Sequence, residues 1–289
     1  MNVETLTILK GDETLRRRLA LIMVLCLAMG LFVGCGQADN GATPDPADTD
    51  TSWQEIQDKG YFVMGLDDAF PPMGFRDENN EIVGFDIDMA KEAASRLGVE
   101  VKFQPISWDA KGEELNSGNI DVIWNGFTIT EERQQEFLFT KPYIEDHQII
   151  VVRPDSTINT KADLAGKEVG IQAGSSAIEA VMADAATYET IKDDLREFDT
   201  NDMALRDLAG GGLEAVVVDE VVGRYYISKH PGEYRVLEEN FGLEAFGVGL
   251  RLTDKAFLAE LDKALDEMKA DGTAAEISKK WFGEDITKK

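Results

Sequence analysis

Short apolar runs alternate with segments of helical period from residue 61 to residue 281, and this alternation narrows the possible folds more than any other feature. Runs at 61–65, 99–104, 122–124, 146–153, 168–171, 214–218 and 246–250 read as strands. Helical spacing is predicted over 87–97, 110–116, 177–185, 202–208, 220–228, 255–270 and 274–281. Gly98 is a C-terminal stop, Pro154 ends the long run before it, and Pro71-Pro72 keep the loop over 66–73 extended. Such alternation predicts parallel sheets sandwiched by helices, an α/β architecture. No internal repeat of solenoid length is present. Ligands on these sheets bind beyond the carboxyl ends of strands, so polar residues just past the apolar runs are the first candidates for a site.

A chain of 289 residues has room for two domains of ordinary size. With 29 Lys and Arg against 55 Asp and Glu, the net charge is −26. Removing residues 1–34 takes away four basic and three acidic residues and leaves −27. That balance argues against nucleic acid or an anionic membrane over a broad face. The two cysteines, Cys26 and Cys35, form no CxxC pair, and His147 and His230 stand apart, so neither a disulfide framework nor a zinc site is expected. No cofactor or metal is predicted.

The amino terminus reads as an address. Arg16-Arg17-Arg18 precede 15 apolar residues over 19–33, about the length of a secretory hydrophobic region and short for a membrane span. The run ends Leu31-Phe32-Val33-Gly34-Cys35, which resembles a bacterial lipoprotein signal with Cys35 as the lipidated residue. Phe32 stands where leucine is usual, and Glu4, Asp12 and Glu13 are unusual in a leader. Residues 35–51 lack large apolar side chains and are expected to be a disordered tether. Export with a lipid tether to the outer face of the cell membrane, or a periplasmic location, is the expectation.

The stretch Asp121-Val122-Ile123-Trp124-Asn125-Gly126-Phe127-Thr128-Ile129-Thr130-Glu131-Glu132-Arg133 carries the most chemistry. Thr130 is placed to cap a helix whose first turn holds two acids, as the macrodipole favours, and one cation, as it does not. Arg133 there either holds an anion at the helix mouth or pairs with Glu136. Gln172-Ala173-Gly174-Ser175-Ser176 opens another helix and offers an amide cradle for an anion, or is a turn with an N-cap. Asp219 follows Val216-Val217-Val218 and is either an ammonium ligand, an N-cap, or both. Asp67, Asp68 and Phe70 occupy a loop, and Trp108 follows Pro105-Ile106-Ser107; either ring alone reads as core packing. Together they provide a cation, an amide cradle, acids and aromatic walls, the requirements of an amino-acid zwitterion.

With these residues in place, the sequence resembles the bacterial extracellular solute-binding proteins of the polar amino-acid class, which feed ABC importers. The landmarks are Gly84-Phe85-Asp86-Ile87-Asp88, Gly126-x-Thr128-Ile129-Thr130-x-Glu132-Arg133, Lys141-Pro142-Tyr143, Asp163-Leu164-Ala165-Gly166-Lys167, Gly174-Ser175-Ser176 and Lys280-Trp281-Phe282-Gly283. They span about 53–283 in the expected order. The resemblance implies a two-lobed periplasmic-binding-protein-like α/β fold, each lobe a mostly parallel sheet flanked by helices, joined by two hinge strands. It implies lobe 1 from 52–145 with 245–289, lobe 2 from 146–244, and a hinge through 145–149 and 244–247. Arg133 would hold the ligand α-carboxylate, helped by the Thr128 and Ser176 amides. Asp219, the Gly126 carbonyl and the Thr128 hydroxyl would take the α-ammonium, with Phe70 and Trp108 flanking the side chain. Asp67 matches an acid that reads the distal group in relatives binding basic amino acids and in one binding glutamine, and Gln172 stands where some relatives carry a basic or hydroxyl residue.

The implied partners are a free amino acid, an ABC permease and, through the lipid, the membrane; the chain is expected to be monomeric and not an enzyme. Two acids and the negative field lean toward arginine or lysine, with glutamine and cystine open. The alternatives are a cyclohexadienyl dehydratase-like enzyme, with Asp67 or Asp68 as general acid or base, and a sensing module for a receptor. No nucleophile with a paired histidine is apparent, since Gly174-Ser175-Ser176 is not a nucleophile elbow.

Overall fold

The structure, a computed structural model, describes residues 50–287. The expected leader over 1–34, the candidate lipidation site Cys35 and nearly all of the tether lie outside the described residues. Asp50 and Thr51 already contact the fold. The Asp50 carboxylate accepts from the Ser52 and Ala256 amides at 2.9 and 2.5 Å, and the Thr51 hydroxyl donates to Glu55 at 2.7 Å.

Helix α1 (Ser52–Lys59) ends at Gly60 and leads into β1 (Tyr61–Leu66). Short strands β2 (Ala69–Phe70), β3 (Gly74–Arg76) and β4 (Ile82–Val83) form a small antiparallel sheet. Helix α2 (Phe85–Leu97) stops at the left-handed Gly98, as expected of a glycine terminator, and β5 (Glu100–Pro105) follows. A 3-10 turn, Trp108–Ala110, runs into α3 (Lys111–Asn116), then β6 (Val122–Ile123), the single turn α4 (Arg133–Glu136) and β7 (Phe137–Phe139). Strand β8 (Ile144–Val152) crosses to the second half, built from β9 (Val169–Gln172), α5 (Ser176–Ala183), α6 (Ala185–Ile191), β10 (Leu195–Phe198), α7 (Asn201–Gly210), β11 (Ala215–Asp219) and α8 (Glu220–Lys229). Strand β12 (Arg235–Phe246) returns to β13 (Gly249–Arg251), α9 (Lys255–Ala270) and α10 (Thr273–Phe282).

The two larger sheets share one plan. Their strand orders are β5-β1-β6-β13-β7 and β10-β9-β11-β8-β12. The first three strands of each are parallel, and the last two pair antiparallel. The sheets are therefore mixed where the alternation predicted parallel ones. The antiparallel strands are those that carry the chain between halves or bring it back, so they cannot be ordinary βα crossovers.

Both faces of each sheet are covered, which is why the strands read as continuous apolar runs. Along β8, Ile149 and Val151 pack toward α7 and α8, while Ile150 and Val152 pack toward α5 with Ile171 and Val181. Val216 and Val218 of β11 repeat the first set, and Ala215 and Val217 the second. In the first sheet Phe62, Met64 and Leu66 face α2 and α9. Ile123 joins Trp108, Leu115, Phe127 and Phe137 on the opposite side.

Several elements leave little trace in the sequence. Strand β10, Leu-Arg-Glu-Phe, is a half-exposed edge strand without an apolar run. Strand β12 is an edge strand with two register shifts against β8 and mostly exposed or half-buried residues, so the sequence predicts only its final residue as strand. Helices α1 and α6 and strand β7 are likewise absent from the sequence reading.

Candidate functional site

The strand ends supply the site. Strand β1 ends before Asp67, β6 before the Asn125-Gly126 turn, β9 on Gln172 and β11 on Asp219. These ends face one another across a cavity of about 10 Å³, lined by Phe70, Trp108, Gly126, Thr128, Arg133, Gln172, Ser175, Ser176 and Asp219. Eight of the nine ligand-site residues expected from the sequence line it, and Ser175 is an addition. A volume of this size holds about one water. An amino acid therefore requires the two sheets to part.

Arg133 is buried, and its surroundings explain the sequence anomaly. The Thr130 hydroxyl accepts from the Arg133 amide at 3.2 Å, but α4 is a single turn that begins at Arg133 after Glu132, so Thr130 is not its N-cap and Glu131 and Glu132 precede the helix. The guanidinium lies 4.9 Å above the Phe127 ring. Its Nη1 donates to the Thr128 carbonyl at 3.0 Å, its Nη2 donates to the Gly174 carbonyl at 3.2 Å, and its Nε stands 3.6 Å from Glu179. The alternative partner, Glu136, is not among these contacts. Arg133 thus spans from the first sheet's loop to the cradle after β9.

Other bonds tie the same two sides together. The Thr128 and Ser176 hydroxyls share a hydrogen at 3.0 Å. Lys111 donates to the Gly174 carbonyl at 2.8 Å and to the Trp108 carbonyl at 3.0 Å. Burial, with the nearby Arg133 charge, pulls its ammonium down to about 8. Sequence reasoning misses Lys111, which reads there as one charged residue on a short helix. Gly174 sits at φ 67°, and a Cβ there would lie 2.8 Å from the Asp109 Cα, so the cradle meets the 3-10 turn backbone to backbone.

Asp67 does not line the cavity. Its Oδ1 accepts from the Ala69 amide at 2.9 Å and its Oδ2 from Gln172 Nε2 at 2.8 Å, and burial lifts it to about 6. Gln172 also donates to the Asp199 carbonyl and accepts from Asn201 at 2.9 Å, so it is held from both ends. Gly126 adopts φ 55° with Phe70 in the space a side chain would need. Its amide donates to the buried Asp86 at 2.8 Å, which anchors the loop to α2 and accounts for the acid in Gly84-Phe85-Asp86.

Asp219 is buried and accepts from Gln148 Nε2 at 3.0 Å; its side chain makes no capping bond to α8. The Gln148 amide also reaches Ser176 at 3.2 Å and Glu244 at 2.8 Å. Gln148 and Glu244 come from β8 and β12, whose pairing sets Glu145 opposite Ala245 and Asp146 opposite Glu244. Neither is singled out by the sequence, because polar residues within connecting strands look like ordinary exposed positions.

This geometry, a cation and an acid brought from two sheets to one cavity, is matched by relatedness. Residues 62–284 match the bacterial extracellular solute-binding proteins, family 3. The chain belongs to this family. It is 31% identical over 275 residues to the L-cystine-binding protein TcyJ of Escherichia coli (strain K12), covering 94% of this chain and 97% of that one. It is 31% identical over 223 residues to ABC transporter arginine-binding protein 1 of the same strain, covering 76% and 89%. Among solved structures, an ABC uptake transporter substrate binding protein from Streptococcus pneumoniae with bound histidine superposes with a TM-score of 0.78 at 35% identity, covering 83% of this chain and 99% of that one. The two-lobed α/β fold expected from the sequence is the family's fold.

Proposed function

We propose that this protein is an extracytoplasmic amino-acid-binding protein that captures a polar L-amino acid between two lobes and delivers it to an ABC permease. The observation that carries this reading is that Arg133, which follows β6 of the first sheet, and Asp219, at the end of β11 of the second, line one cavity. Lobe 1 is taken as 52–145 with 245–289, lobe 2 as 146–244, with β8 and β12 as the connecting strands. Arg133 would exchange its two carbonyl partners for the ligand carboxylate, and Asp219 would receive the ammonium beside the Gly126 carbonyl and the Thr128 hydroxyl. Phe70 and Trp108 would flank the side chain. Neither lobe alone neutralises both ends of a zwitterion, so the ligand gains more from the closed state than from the open one.

Relatives that bind cystine, arginine and histidine support a polar amino acid and favour capture over a dehydratase. Asp67, already bonded through both oxygens, would read the distal group only after Gln172 releases it, so basic ligands are one option beside glutamine and cystine. A thermal-shift screen of the amino acids with cystine and ornithine identifies the ligand, because only a ligand of the native state raises the melting temperature. Removing one partner of a buried charge pair costs roughly 3–5 kcal/mol, and ~1.4 kcal/mol is tenfold. Arg133→Ala and Asp219→Ala are each expected to weaken binding by about a hundredfold or more in calorimetry. Near wild-type binding in both variants would refute the assignment. The leader over 1–34 and lipidation of Cys35 belong to the same proposal, and mass spectrometry of the protein from its native host tests them.

A further inference from the structure

The register of the second sheet gathers four polar side chains on one of its faces. Residues 146 and 148 of β8 share a face; Asp146 lies opposite Glu244 of β12, and Gln148 opposite Asp219 of β11. Oxygens of Asp146, Asp219 and Glu244 all come within 4.8 Å of one another. Like charges directly opposite on neighbouring strands repel, and burial strengthens the repulsion. Gln148 Nε2 stands between Asp219 and Glu244, and the Val221 amide donates to Asp146 Oδ1 at 3.2 Å. Two buried atoms in this group, Gln148 Oε1 and Asp146 Oδ2, have no hydrogen-bond partner. Arg133 is near enough to attract Asp219 and Glu244 but makes no hydrogen bond to either. Arg133 gives its Nη atoms to backbone carbonyls, and His147 on the other face of β8 pairs with Glu220 of α8 at 3.0 Å.

We propose that the Asp146–Asp219–Glu244 cluster holds a proton that the ammonium group of the bound amino acid expels. The inference rests on the reading that Asp219 receives that ammonium. Three carboxyl groups with oxygens within 4.8 Å of one another cannot all ionise in a buried place, and burial followed by the neighbouring acids pushes Asp219 and Asp146 well above the usual carboxylate range. The exchange balances: the ammonium keeps its three hydrogens, the shared proton passes to solvent, and the negative charge uncovered is neutralised by the ligand. All four residues lie in one sheet, on strands β8, β11 and β12. The free protein then binds more protons than the complex, and affinity rises with pH.

The test is calorimetry with L-arginine, L-lysine, L-glutamine and L-cystine, in phosphate and in Bis-Tris, from pH 6 to 7. Binding is expected to release up to about one proton, with affinity rising by up to about tenfold per pH unit. Glu244→Gln and Asp146→Asn should each reduce both effects, and His147→Asn should leave both in place. Equal heats in the two buffers with a flat pH profile would overturn the cluster's role while leaving amino-acid binding intact. Loss of proton release in His147→Asn would also overturn it, by placing the proton on the histidine. No heat with any of the amino acids, cystine and ornithine included, would instead sink the proposed function itself.

Discussion

Arg133 and Asp86 show what single positions contribute. Arg133 is conspicuous in the sequence because a cation sits in a helix's first turn, and its contacts give the reason: it turns away from α4 to the Thr128 and Gly174 carbonyls. Asp86 is legible there only as a letter in a motif. Packed beneath the Gly126 loop, it is lifted by burial to about 7. A carboxyl raised in the fold stabilises fully below its ordinary pKa of 3.8, and that contribution is lost as pH rises through about 7. Without ligand, the urea midpoint should therefore fall between pH 5 and 7, because each tenfold gain in proton affinity on folding is worth about 1.4 kcal/mol per group. Asp86→Asn, which stays neutral, should flatten part of that fall; a slope equal to wild type would contradict the burial argument.

Among the elements, those with two buried faces or a strong helical stripe are readable in the sequence, and those at edges are not. Strand β11 is buried throughout and appears as Ala-Val-Val-Val, whereas β10 and β12 draw their identity from the strands they pair with. The turn between β9 and α5 is another element whose role depends on what it meets. Gly174→Ala would place a methyl against the Asp109 backbone at a left-handed φ, where a side chain costs roughly 1–2 kcal/mol before any clash. The contact spans the closing surfaces. The φ strain lowers stability, whereas the clash with Asp109 arises only when the two sides meet and should lower affinity, tenfold for each ~1.4 kcal/mol it costs. Calorimetry giving wild-type affinity would show that this contact is not part of closure.

At the scale of the whole molecule, closure is the property that matters. The cavity admits about one water as the sheets stand, and they are bridged by Arg133, by Lys111, by Thr128 with Ser176, and by Gln172 with Asp67. Capture of an amino acid then requires an open state that exchanges with this one, and the ligand shifts the balance by its differential affinity. Small-angle scattering should show the radius of gyration decreasing at saturating ligand, and curves that coincide with and without a calorimetrically confirmed ligand would exclude a closing trap.

The sequence by itself determined the α/β class and marked the strand ends, with Arg133, the turn over 172–176 and Asp219, as the places where polar groups depart from the local pattern, because such departures show within a few residues. Only the tertiary structure decided which acids stand together. Asp146, Gln148, Asp219 and Glu244 are separated by up to 98 positions along the chain. Their meeting is a matter of register between β11, β8 and β12, and register is set by side-chain packing on both faces of a sheet. The same holds for Asp67, whose carboxylate reads as a free loop acid until Gln172, 105 residues away, closes over it.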